Sequence, residues 1–173
     1  MNLPNKLTML RVLLIPLCIL FIIMGYYTLA ALVFGLASFT DWLDGYLARK
    51  YKQVTTFGQF ADPVADKILV LTTMIALLYQ GLYPWWAVCI VAARELAVDG
   101  LRLVAVGEKL VIPAGKLGKY KTNAQIFSIL SAMLFLPQWI SLVLILLMCM
   151  LTIISGLQYF YGARSVFKGL KGH

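Results

Sequence analysis

Three long stretches of this chain contain no Asp, Glu, Lys or Arg: Val12 to Thr40, Ile68 to Ala93, and Thr122 to Ala163. They constrain the fold more than any other feature. A bilayer crossing needs about 20 apolar residues and must satisfy its own backbone, which a helix does. The last stretch is more than twice that length, so it holds two helices, broken at Pro137-Gln138. The middle stretch turns at Gln80 to Pro84 and the first near Gly25 to Thr28; in both, the paired helices run on into charged sequence. The reading is an all-α membrane protein with six transmembrane helices, at about 5–24, 28–51, 56–80, 84–106, 116–136 and 138–164. No repeat or linker divides it, so residues 1–173 are expected to form one domain.

Composition agrees. At 62% hydrophobic and 13% charged, the chain is unlike a soluble domain, typically about half apolar and a quarter charged. A disordered chain and a nucleic-acid-binding module are excluded on the same ground. The charge it keeps is lopsided, 15 Lys and Arg against 7 Asp and Glu, net +8. The expected turns near Gly25, Gly81 and Pro137 carry none of it; the charges lie at or near the opposite helix ends. The positive-inside rule assigns that side, and both termini, to the cytoplasm. The start of the chain lacks a signal-peptide pattern, so its first span is expected to be retained. Cys18, Cys89 and Cys149 sit in apolar sequence and read as small hydrophobes. The single histidine, His173, lies in the C-terminal tail, which leaves none for catalysis or clustered metal ligation.

The carboxylates are concentrated. Asp41 and Asp44 are three residues apart, Asp62 and Asp66 four apart, so each pair shares a helix face. A short connection makes the two helices antiparallel neighbours, and four carboxylates converge at the cytoplasmic boundary. Four bare negative charges there would repel and resist desolvation. Hard oxygen donors without Cys or His select Mg²⁺ or Mn²⁺. Two such ions would offset four carboxylates, and a two-metal site suits phosphoryl chemistry. Gly45 and Gly58 let a bulky ligand approach the backbone, and Arg49 offers a fork for phosphate.

The pattern Asp-x2-Asp-Gly-x2-Ala-Arg-x8-Gly-x3-Asp-x3-Asp, at 41 to 66 and including Ala48 and Arg49, resembles the signature of the CDP-alcohol phosphotransferases. The resemblance implies a six-helix, usually dimeric membrane enzyme whose site opens to the cytoplasmic leaflet, here of a bacterial inner membrane. It implies that Asp41, Asp44, Asp62 and Asp66 bind two Mg²⁺ (or Mn²⁺) ions on the diphosphate of a CDP-linked substrate. Asp66 would be the general base. Asn5, Thr8, Gly45, Ala48, Arg49, Thr55 and Gly58 would line the side that takes CDP-diacylglycerol.

Further stretches, Pro4-Asn5-Lys6-Leu7-Thr8-x2-Arg11, Asp62-Pro-Val-Ala-Asp66-Lys67, Arg94-Glu95 and Gly118-Lys119-x-Lys121-Thr122, are similar to the bacterial branch of that family that uses glycerol 3-phosphate. Such an acceptor brings a phosphate that needs cations of its own. Arg11, Lys67, Arg94, Lys119 and Lys121 map to cytoplasmic helix ends and are the candidates, with the fifth helix's N-terminal dipole assisting. Rival readings are the same reaction with another acceptor, giving cardiolipin or phosphatidylinositol phosphate, or a small cation transporter with a carboxylate site. The transporter predicts charges near mid-membrane and polar residues on both sides. Trp85, Trp86 and Trp139 read as interfacial anchors. Arg164, Lys168 and Lys171 read as headgroup contacts. Asp99 and Arg102, three apart, read as a pair with each other.

Overall fold

The computed structural model describes residues 3–50, 56–107 and 117–163. All of its regular structure is helical: α1 (Leu3–Ile23), α2 (Tyr27–Lys50), α3 (Thr56–Tyr79), α4 (Trp85–Gly107), α5 (Leu117–Met133) and α6 (Gln138–Gly162). The six helices fall where the charge-free stretches and their breaks place them.

The three uncharged turns share one device. Gly25 and Gly81 take left-handed backbone, at φ 80 and φ 73. In each turn the next residue's N–H reaches back five positions, Tyr26 to the Phe21 carbonyl and Leu82 to the Leu77 carbonyl. This is the Schellman closure of a helix end, and glycine carries it without a Cβ penalty. The third turn uses Phe135 at φ 50, with Leu136 reaching back to the Ser131 carbonyl. That turn ends α5 at Met133, ahead of the expected 136, and Pro137 opens α6. The Phe135 ring meets Tyr27 edge-on, centroids 5.1 Å apart, a contact that helps to hold the strained residue.

α1 packs on α2 and α3, and α6 packs on α4 and α5; α3 with α4, and α5 with α2 and α3, close the bundle. Cys18, Ile22, Phe34, Leu69, Met74, Leu77, Val91, Ile129, Met133 and Met148 form the main core. A second, smaller cluster of Val98, Leu101, Ala105, Tyr159 and Ala163 lies between α4 and α6 toward their charged ends. Outward faces carry large exposed apolar side chains, among them Leu13, Leu32, Leu36, Leu96, Leu103, Phe127 and Leu157. Among the described residues only α6 is long and apolar enough, by length and composition, to cross a membrane; Leu7–Ile23 and Tyr27–Asp41 are shorter apolar helices. The physical reason is visible in α3 and α4, which carry Asp62, Asp66 and Lys67, and Arg94, Glu95, Asp99 and Arg102, on the same helices as their apolar runs.

Candidate functional site

The inner stripes of the helices carry polar residues among the apolar ones. On α4 the buried positions are Ala87, Val88, Val91, Glu95, Val98, Leu101 and Ala105. Glu95 thus occupies a core position at helical spacing. On α5 the buried stripe is polar at four places, Lys121, Gln125, Ser128 and Ser131. Buried polar groups are retained only with partners or ligands.

Two zones emerge. In the first, α1 meets the aspartates. Arg11 is fully buried, at 0% exposure, and its Nη1 lies 2.9 Å from Asp41 Oδ1 on α2. Thr8, one turn earlier, donates from its hydroxyl to Asp62 on α3. Asp66 follows Asp62 by one turn. All three carboxylates sit on helix ends that project beyond the charge-free runs. Among the described residues no three of His, Cys, Asp and Glu close into a metal cage. Asp44 stands on α2 with its side chain outside the described residues, as do those of Asn5, Gly45, Ala48, Arg49 and Gly58; Thr55 lies outside altogether. Asp41, Asp62 and Asp66 are hard oxygen donors, the donor type that suits Mg²⁺ or Mn²⁺.

The second zone is a cavity of about 450 Å³ between α3, α4 and α5. Asp66, Lys67, Arg94, Glu95, Asp99, Arg102, Lys119, Lys121, Thr122 and Gln125 are its polar lining. Four of the five residues expected to hold an acceptor phosphate, Lys67, Arg94, Lys119 and Lys121, therefore share one wall system with Asp66. Arg11 lies apart from them, with Asp41.

The basic cluster is not purely basic. Lys67 pairs with Asp99, and Lys121 with Glu95. Arg94 Nη1 stands 3.3 Å from Glu95 Oε2. The expectation that Asp99 and Arg102 pair is corrected: Asp99 takes Lys67, and Arg102 donates from Nε to the Tyr159 hydroxyl at 2.9 Å. Both choices lead across helices rather than along one. Gly156 of α6 makes room for Arg94: a Cβ there would meet Arg94 Cγ at 3.2 Å.

Sequence reasoning missed Glu95, Asp99, Arg102 and Gln125 as site residues. For Glu95 and Gln125 a signal existed, since each falls on the inward stripe of its helix. Trp85 and Trp139 stand exposed beside the uncharged turns, whereas Trp86 packs against the main core.

Residues 1–154 match the family model described as CDP-alcohol phosphatidyltransferase. The chain is 39% identical to the CDP-diacylglycerol–glycerol-3-phosphate 3-phosphatidyltransferase of Bacillus subtilis (strain 168), covering 92% of this chain and 93% of that protein. It is 37% identical to the protein of that name from Shigella flexneri serotype 5b (strain 8401) and 35% identical to the one from Sodalis glossinidius (strain morsitans). Each of those alignments covers 95% of this chain and 96% of the relative.

Proposed function

Since the chain belongs to the CDP-alcohol phosphatidyltransferase family, we propose that it transfers the phosphatidyl group of CDP-diacylglycerol to sn-glycerol 3-phosphate, forming phosphatidylglycerol phosphate and CMP. It is a phosphatidylglycerophosphate synthase of phospholipid biosynthesis, like the relatives it matches. One observation carries the acceptor assignment: a single cavity joins Asp66 to five cations, Lys67, Arg94, Arg102, Lys119 and Lys121, against three carboxylates, Asp66, Glu95 and Asp99. The excess of two positive charges matches a phosphate approaching a dianion at neutral pH. An uncharged alcohol would leave that excess unanswered.

Asp41, Asp44, Asp62 and Asp66 would hold two Mg²⁺ or Mn²⁺ ions, which when bound neutralise the diphosphate and its departing CMP. Arg11 and Thr8 keep Asp41 and Asp62 oriented from α1. Asn5, Thr8, Gly45, Ala48, Arg49, Thr55 and Gly58 line the CDP side. Lys67, Arg94, Lys119 and Lys121 hold the acceptor phosphate; Arg11 serves the aspartates instead. Asp66 takes the proton from the glycerol 1-hydroxyl. That oxygen forms its bond to the phosphorus bearing diacylglycerol as the bond from that phosphorus to the CMP oxygen breaks. Positioning and fixed charge supply most of the rate.

The exposed apolar exterior supports six crossings of a bacterial inner membrane, with both termini and the site on the cytoplasmic side. Membrane lipids cover that exterior, residues 1–173 form one domain, and two copies form a homodimer.

The test is purified protein with CDP-diacylglycerol, an acceptor panel and Mg²⁺. CMP release driven by glycerol 3-phosphate above inositol phosphate, phosphatidylglycerol or uncharged alcohols is the expected result. Preference for an uncharged alcohol would overturn the acceptor assignment. Asp66→Asn should lower turnover by about 10²–10⁴-fold; near-normal turnover would remove Asp66 from the base role.

A further inference from the structure

Two buried donors on the cavity wall have no hydrogen-bond partner, Arg94 Nε and Gln125 Nε2. Gln125 is only 3% exposed. It stands one turn after Lys121 on α5, so it lies deeper in the bundle than the cations at the start of that helix. A buried amide with an unanswered N–H is costly in an otherwise packed wall, and a ligand oxygen removes that cost.

The two donors differ in kind. Arg94 is a cation and suits an anionic oxygen. Gln125 is neutral, and a primary amide both donates and accepts. Phosphate oxygens only accept and are already served by the cations around them. A hydroxyl donates and accepts, which matches an amide on both counts.

We propose that Gln125 is a specificity-determining residue that reads the secondary hydroxyl of the acceptor. The inference rests on the function proposed above. Glycerol 3-phosphate has three polar groups, and the cavity then provides for each: cations for the phosphate, Asp66 for the attacking 1-hydroxyl, and Gln125 for the 2-hydroxyl. Because the 2-hydroxyl sits on the stereocentre, the same contact sorts the two enantiomers of glycerol phosphate.

The experiment compares sn-glycerol 3-phosphate with 3-hydroxypropyl phosphate, which keeps the phosphate and the attacking hydroxyl and lacks only the 2-hydroxyl. Wild-type enzyme should prefer glycerol 3-phosphate in kcat/KM by about 10–100-fold, as expected where a buried polar group is left unpaired by the analogue. In Gln125→Leu that preference should collapse to within about threefold, by loss on glycerol 3-phosphate rather than on the analogue. A ratio measured on one preparation is independent of how much of the variant is folded. Equal losses on both acceptors, or a preference unchanged in Gln125→Leu, would overturn the role of Gln125. Wild-type enzyme that ignores the 2-hydroxyl would do so as well. Wild-type enzyme that releases CMP with neither phosphate acceptor would instead overturn the proposed function, so the two failures are distinguishable.

Discussion

The Glu95–Lys121 pair offers the sharpest energetic test of the cavity. Both side chains are about 7% exposed, so solvent screens them poorly. Glu95 has a second cation beside it, Arg94 at 3.3 Å. The two single substitutions are therefore unequal. Glu95→Gln strands the Lys121 ammonium next to Arg94, and breaking a buried pair this way costs about 3–5 kcal/mol. Asp66 still attracts Lys121, which places the cost near the lower figure. Lys121→Met leaves Glu95 its Arg94 partner and should cost about 1–2 kcal/mol, mostly the lost charged hydrogen bond. The double variant should cost less than the sum of the two, since Lys121 is no longer stranded while Arg94 still loses Glu95. Unfolding free energies from titrating a mild-detergent solution with a denaturing detergent, followed by helical ellipticity, measure all three. Additive single effects within about 0.5 kcal/mol, or Lys121→Met as the worse variant, would refute the reasoning.

Other outcomes follow from single contacts. Gly156→Ala should displace the Arg94 stem by a few tenths of an ångström and raise KM for glycerol 3-phosphate by about 2–10-fold with KM for CDP-diacylglycerol unchanged, while Gly35→Ala, where a Cβ meets nothing within 4 Å, should leave both constants alone. Tyr83→Phe removes a 2.8 Å hydrogen bond to Ser128, but Ser128 keeps the Gln125 carbonyl as acceptor, so the variant should lose only about 0.5–1.5 kcal/mol of unfolding free energy and no activity. Treatment with a divalent-metal chelator should abolish CMP release, and added Mg²⁺ should restore it; full activity in chelator would contradict the carboxylate reading.

The helix count and the turns were legible because charge and proline punctuate an apolar chain so plainly. Gly25 and Gly81 announced their turns; Phe135 did not, since an aromatic in left-handed backbone is held there by contacts from elsewhere. The aspartates were legible because their spacing on one face is a local property. The cations were legible as a set but not by assignment. Arg11 has the same charge as Arg94, and only the packing of α1 against α2 sends it to Asp41. Lys67 with Asp99 and Lys121 with Glu95 join residues on different helices, and no spacing along the chain encodes such pairs. Gln125 lay unnoticed for a related reason: its meaning comes from lacking a partner, which a sequence does not display.

At the far end of the molecule, Gln80 donates from Nε2 to the carbonyls of Ile22 and Ile23, at 2.8 and 3.1 Å. A side chain from the end of α3 thus answers the open carbonyls at the end of α1, groups that hydrocarbon would leave costly and bare. With the α1–α2 and α3–α4 turns at that same end, the latch ties the first three helices together where the chain offers no charged residue to do so.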